Sequence, residues 1–193
     1  IFSGVGLVMS KYPSLVIASH QAAMNFSNLM YAFPLSISSA MAIIISYEFG
    51  ARRMNAVKSY SKLRRLTALG FSIFTLIFLY FLRYDLAELY GHEPDFLRMT
   101  AIFMTYSLFF QVADVFAAPL QGILRGYKDT KVPFYLGVLT YWGITLPVGF
   151  LLEKVTGLGP YSYWIGLITS LIVSGLCYQW RLNRIVKRYE SQQ

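Results

Sequence analysis

Apolar residues recur along this chain in long stretches rather than in the short alternating or amphipathic runs of a water-soluble domain. Five stretches are long enough, or nearly so, to cross a hydrocarbon layer, which takes about 20 residues as a helix. They cover 17–50, 66–82, 99–124, 132–152 and 161–180. The first exceeds one plain crossing. Pro34 inside it predicts a kink, because proline removes a helix hydrogen bond. The fourth contains Pro147 and several glycines. Residues 1–9 read as the tail of another apolar segment, too short to span and lacking the basic start of a signal peptide. The expectation is a piece cut inside a transmembrane helix. The fold predicted is all-α: a polytopic membrane helix bundle of about five full transmembrane helices plus a truncated one.

Within two stretches the polar positions are themselves periodic. Ser107, Gln111, Asp114, Ala118 and Gln121 fall at steps of three and four, on one helical face. Leu108, Phe109, Val112 and Phe116 lie off that face. Gln21, Asn25, Asn28, Ala32, Ser36 and Ser39 form a comparable stripe. In lipid such stripes turn inward, either to bond neighbouring helices or to line a hydrated cavity. For the serines helix bonding is the simpler reading, whereas Asn25 and Asn28 suit both. Asp114 is the one ionisable residue deep inside a stretch. A charge there costs about 3 kcal/mol on insertion scales, and such groups commonly bind protons or ions. The alternative is a structural hydrogen bond to a neighbouring helix. Phe110 borders the polar face and offers either ordinary packing or an aromatic ring to a cation. Two polar faces and a carboxylate together predict a hydrated cavity.

Composition changes the picture little, but the placement of charge changes it greatly. Hydrophobic residues make up 56% of the 193, and only 13% are charged, against about a quarter in soluble domains. The net charge of +8 would suit nucleic acid if it were gathered on one surface. Instead it alternates. Arg52, Arg53, Lys58, Lys62, Arg64 and Arg65 follow the first stretch; Arg125, Lys128 and Lys131 the third; Arg181, Arg184, Lys187 and Arg188 the fifth. Only Lys11, Arg83, Arg98 and Lys154 fall on the other side, where Asp85, Glu88, Glu93, Asp95 and Glu153 lie. Thirteen bases against four place the basic loops and the C-terminus in the cytoplasm, facing anionic lipid and no nucleic acid. Residues 51–65 are expected as a helix lying in the interface with Met54 and Val57 toward lipid, or as a solvated connector. Arg125 to Thr130 reads as a polar turn in which Gly126 permits the bend and Asp129 caps the next helix.

Little points to enzyme chemistry. His20, at a stretch end, and His92, in a loop, have no metal-ligand or nucleophile partners at helical spacing. No phosphate-cradling glycine motif appears. Cys177 excludes an internal disulfide, being the single cysteine. Tyr84, Tyr90, Tyr161, Tyr163 and Trp164 sit where an interfacial aromatic belt is expected.

Several segments resemble the second lobe of the multidrug and toxin extrusion (MATE) family, in its NorM-like branch. They are Ala18-Ser-His20-Gln21-Ala-Ala-Met-Asn25, Phe110-Gln111-Val-Ala-Asp114, Gln121-Gly122-Ile-Leu124-Arg125-Gly126-Tyr-Lys-Asp129-Thr130, Tyr141-Trp142 through Gly149, and Gly159-Pro160 through Gly166. The similarity covers nearly the whole chain in order. It implies a twelve-helix exporter whose two lobes rock about a central cavity. Residues 1–9 would end the seventh helix, 17–50, 66–82, 99–124, 132–152 and 161–180 would be the eighth to twelfth, and 181–193 a cytoplasmic tail. The resemblance further implies export of drugs or toxins by antiport with Na+ or H+, without other cofactors, in a multi-pass cell-membrane protein. The N-terminal lobe of the same protein would be its partner. Asp114 matches the family's cation-coupling acid, a possible Na+ ligand. Gln21, Asn25, Asn28, Ser107, Phe110, Gln111 and Gln121 are the cavity-lining candidates. A second acid, on the seventh helix, would precede Ile1. Phe110 departs from the tyrosine frequent at its position. A related fold that flips lipid-linked oligosaccharides is the alternative, and it predicts a basic cavity that these stretches do not supply. An intramembrane enzyme would need paired catalytic groups, and a purely structural subunit would not need two polar stripes.

Overall fold

The computed structural model describes residues 2–190. The chain is helical throughout, with no strand among the described residues. Helix α1 (Phe2–Met9) is followed by α2 (Ser14–Gly50), α3 (Met54–Glu88), α4 (Pro94–Gly126), α5 (Lys131–Thr140), α6 (Leu146–Thr156) and α7 (Tyr161–Glu190). A five-residue π-helical stretch, Tyr141–Thr145, joins α5 to α6 as one span. Among the described residues five helices, counting that joined span once, are long and apolar enough to cross a membrane. Prolines mark starts: Pro13 precedes α2 and Pro94 opens α4, where a missing N–H is harmless. Gly157 ends α6 at a φ of 66°, a left-handed conformation that glycine adopts without strain. Helix α2 runs through Pro34 without a break.

Helix α4 is the hub, packing against α2, α3 and α7, while α7 also holds α5, α6 and the π-helical stretch. The tightest approach is made by Gly122, where an added Cβ would lie 2.1 Å from the Ser38 carbonyl oxygen. Gly126, one turn on, does the same against Ile45. This is small-residue packing, which lets membrane helices meet backbone to backbone. Two apolar clusters result. One, built around Phe103, Leu108, Tyr163, Trp164 and Leu167, fills the half toward the acidic loops. The other, around Ile45, Val57, Ile123, Leu124 and Leu182, fills the half toward the basic loops. Outside, large apolar side chains are exposed, among them Leu66, Phe74, Ile77 and Phe81 on α3 and Leu176 on α7. That distribution fits a hydrocarbon solvent.

Three local expectations are corrected. Residues 51–65 are no separate interfacial helix: only Ala51–Arg53 turn, and α3 begins at Met54. Val57 is fully buried and Met54 packs beside it on the basic-end cluster, because the apolar side of this segment finds protein rather than lipid. Asp129 does not cap α5; it accepts from Arg181 Nε at 2.6 Å and ties α7 to the α4–α5 loop. The left-handed residue of that loop is Lys128, at a φ of 63°, while Gly126 is needed for its contact with Ile45. Finally, Tyr163 and Trp164 are buried in the core, where neighbouring apolar residues outbid an interfacial belt. Ile1, residues 191–193 of the expected tail and the side chain of Arg65 lie outside the described residues.

Candidate functional site

Where the two apolar clusters meet, they leave a cavity of about 330 Å³. Helix α4 supplies Phe110, Asp114, Ala117, Ala118 and Gln121 at helical spacing, α2 supplies Tyr31, and α7 supplies Leu171, Ser174 and Tyr178. Tyr141 reaches the same cavity from the π-helical stretch. That stretch ends just before Pro147, which has no N–H to continue an α-helical ladder. The widened turn is a local consequence, and such π-bulges recur at functional sites.

Asp114 is almost entirely buried, and its Oδ2 has no hydrogen-bond partner among the described residues. Unused carboxylate lone pairs facing a cavity can accept a proton, a hard metal cation or an ammonium group. Tyr31, Tyr141 and Tyr178 add hydroxyls and ring faces to the same walls, and ring faces attract organic cations. Tyr178 already donates to the Pro133 carbonyl oxygen at 3.2 Å, which fixes its ring. Phe110 stands edge-on to Trp164, with ring centroids 6.3 Å apart. Among the described residues no three of His, Cys, Asp and Glu gather. A metal ion at Asp114 would therefore rely on neutral oxygens for its remaining ligands.

The eight sequence candidates fall into three groups. Asp114, Phe110 and Gln121 share the cavity. Ser107 and Gln111 are fully buried at the α2–α4 contact. There Gln111 Nε2 donates to the Ser27 carbonyl oxygen at 2.8 Å, and the hydroxyls of Ser107 and Ser27 meet at 2.6 Å. Gln21, Asn25 and Asn28 are exposed and line a second, open cavity of about 440 Å³ with Tyr90 and Phe96. Tyr31, Tyr141, Ser174 and Tyr178 were not anticipated. Tyr31 falls one step of three after Asn28, and Pro147 marks the disturbed helix that carries Tyr141. His20 is buried, its Nδ1 accepting from Trp164 Nε1 at 3.1 Å, a packing role.

At the acidic end Lys11 ties the α1–α2 loop to α6 and α7. Its Nζ lies 2.6 Å from Glu153 Oε2 and 3.1 Å from the Tyr163 hydroxyl. Tyr12 also donates to Glu153. Burial alone would lower the Lys11 pKa, but its hydrogen bonds to Glu153 and Tyr163 outweigh it and hold the ammonium above the usual lysine range. Burial, with the hydrogen bond to Glu153, pushes Tyr12 up to about 12. Both groups thus keep their protons across ordinary pH, and the tie is fixed rather than titrating.

The comparisons agree with this architecture. The MatE family model matches residues 3–151. The "Probable multidrug resistance protein NorM" of Streptococcus pneumoniae (strain ATCC BAA-255 / R6) is 65% identical over 191 residues, covering 99% of this chain and 42% of that protein. The protein of the same name from Bacillus subtilis (strain 168) is 45% identical over 193 residues, covering 100% of this chain and 43% of the relative. That of Geobacillus kaustophilus (strain HTA426) is 39% identical over 191 residues, covering 99% and 42%. The chain thus spans about two fifths of the curated relatives' length. None of these names favours a lipid-linked oligosaccharide flippase. With the family model covering both the Asp114 helix and the span that brings Tyr141 to it, this chain of a multi-pass membrane protein belongs to the MatE family.

Proposed function

We propose that the protein carrying this chain exports cationic or amphipathic drugs or toxins by antiport with Na+ or H+, and that Asp114 is the coupling group. The observation that carries this reading is the buried Oδ2 of Asp114, without a hydrogen-bond partner among the described residues, beside a cavity walled by aromatic rings. A proton, Na+ or a cationic drug each relieves that buried charge. If one occupant excludes the others, drug and ion compete, and the negative coupling is reciprocal. Inward-moving ions then favour drug release outside, and drug entering from inside favours ion release. Alternating access needs a second repeat moving against this one. The exposed stripe of Gln21, Asn25, Asn28, Ala32, Ser36 and Ser39 on α2 is the face offered to that N-terminal lobe across the shared drug pathway. The basic loops and the C-terminus face the cytoplasm, as the thirteen-to-four distribution of bases favours.

Asp114→Asn in the whole protein tests the central claim, since it keeps size and hydrogen bonding while removing the charge. The expected outcome is a well-expressed, inserted protein that no longer exports a cationic dye in response to a Na+ or H+ gradient. Normal gradient-driven export would remove Asp114 from the mechanism. Sidedness is tested by single cysteines at Lys58 and Arg184, which a membrane-impermeant maleimide should leave unlabelled in intact cells and label after lysis.

A further inference from the structure

Pro133, Gly137, Tyr141, Thr145 and Gly149 stand at successive steps of four, running from α5 through the π-helical stretch into α6. Each of them meets α7. The Pro133 carbonyl oxygen accepts from the Tyr178 hydroxyl at 3.2 Å, and a Cβ added at Gly137 would lie 3.0 Å from that same hydroxyl. Tyr141 shares the cavity with Leu171, Ser174 and Tyr178 of α7. Thr145 Oγ1 donates to Ser170 Oγ at 2.9 Å, and the Thr145 carbonyl oxygen would lie 2.4 Å from a Cβ added at Gly166. A Cβ added at Gly149 would lie 2.5 Å from the Tyr163 ring.

An uninterrupted α-helix cannot keep all these positions on one side. It turns about 100° per residue, so each step of four drifts by about 40° and four such steps by about 160°, almost to the opposite face. A π turn bonds residues five apart and so takes in one residue more. That extra residue cancels about 100° of the drift and leaves about 60°, within the roughly 100° width of one buried helix face. The stretch Tyr141–Thr145 therefore lets α5 and α6 pack on α7 together. With α6 anchored at Gly166 and Tyr163, a regular turn in its place would swing Tyr141 away from the cavity by about 100°.

We propose that the π-helical stretch is a positioning device for Tyr141, holding its ring in the wall of the Asp114 cavity so that its face takes a flat organic cation. The inference rests on the transport reading and adds to it the residue that grips the drug. Asp114 supplies the charge and Tyr141 the ring, and a ring face in a dry cavity attracts such a cation.

The test is ethidium binding, followed by dye fluorescence, to the whole protein purified in detergent. Two single-residue deletions separate register from mere disturbance. Leu139 and Gly143 are both exposed, and loss of either leaves the right number of residues for a regular helix whose two ends still face α7. Deleting Gly143 keeps Tyr141 on that face, whereas deleting Leu139 turns it aside. Tyr141→Leu and the Leu139 deletion should each bind ethidium about tenfold more weakly, the scale of one desolvated cation–ring contact, while Tyr141→Phe and the Gly143 deletion should bind as wild type. Tyr141→Leu added to the Leu139 deletion should cost nothing further. Wild-type affinity in Tyr141→Leu, a loss in Tyr141→Phe equal to that in Tyr141→Leu, or equal effects of the two deletions would each overturn the proposal. The Tyr141 pair decides it even where a deleted protein does not insert. Wild type that binds no ethidium would sink the transport reading, and this inference with it.

Discussion

Helices α2 and α4 carry polar stripes of the same helical spacing, yet one stripe lies open and the other is enclosed. On α2, Gln21, Asn25, Asn28, Ala32, Ser36 and Ser39 are all exposed. On α4, Ser107 and Gln111 are sealed against α2, and Asp114 and Ala118 are buried at the cavity. The open stripe holds neutral amides and hydroxyls, and two of its serines satisfy themselves by donating to their own helix, Ser36 to the Ala32 carbonyl oxygen and Ser39 to that of Leu35. The enclosed stripe holds the carboxylate. A charge needs a surrounding that fixes its neighbours, whereas a face that meets a moving partner or changing substrates is better served by groups that tolerate water and rearrangement. Under the proposed function, the enclosed stripe would carry ion coupling and the open one drug passage.

The largest effect that would sharpen this contrast is the loss of gradient-driven export in Asp114→Asn without loss of protein. Next comes the contact that encloses the α4 stripe. Gly122→Val places side-chain atoms where the Ser38 carbonyl now lies, and α4 must separate from α2. Overpacking against backbone exceeds the usual 1–3 kcal/mol, so the variant is expected to insert poorly and to melt far below wild type in detergent. A Gly122→Val protein of normal stability would mean that the two helices are not held together by this approach. The open stripe predicts the opposite profile. Asn25→Leu with Asn28→Leu should leave the melting temperature of this lobe nearly unchanged, because both amides face outward. Export of a cationic dye should fall several-fold. Strong destabilisation with unaltered specific export would instead make the stripe a packing surface.

The all-α bundle and its spans were legible because hydrocarbon leaves the chain few choices: long apolar runs must close their own hydrogen bonds. Asp114 was legible for the same reason, as a charge that lipid alone would not admit. Less was visible where one pattern serves two surroundings. Periodicity put Ser107 and Gln111 on the face of Asp114, but which of the residues on that face meet α2 and which meet the cavity depends on how α2 crosses α4, and that is set by Gly122 and Gly126. Tyr31 and Tyr141 were hidden because an aromatic residue in an apolar stretch suits lipid, core and cavity alike. Met54 and Val57 were misplaced because an amphipathic segment looks the same against lipid as against the ends of neighbouring helices.

The smallest predicted effect lies in the seal between the stripes. Ser27 Oγ donates to the Ala23 carbonyl oxygen at 2.8 Å and also meets Ser107 Oγ at 2.6 Å. A hydroxyl has one proton to give, so Ser27 spends it on Ala23 and Ser107 must be the donor between the two. The substitutions are therefore unequal. Ser107→Ala removes a donor and leaves Ser27 still bonded to its own helix, at a cost near the roughly 0.6 kcal/mol typical of hydrogen bonds between membrane helices. Ser27→Ala strands the buried Ser107 hydroxyl, and an unsatisfied buried polar group costs about 1–3 kcal/mol. Thermal unfolding of the two variants in the whole protein should show Ser27→Ala as the less stable, with gradient-driven export per molecule unchanged in both. In the double variant the stranded donor is gone, so stability should recover part of the way from Ser27→Ala. Equal losses, or additive ones, would reverse the assigned donor and show that this pair is not what closes the α4 stripe against α2.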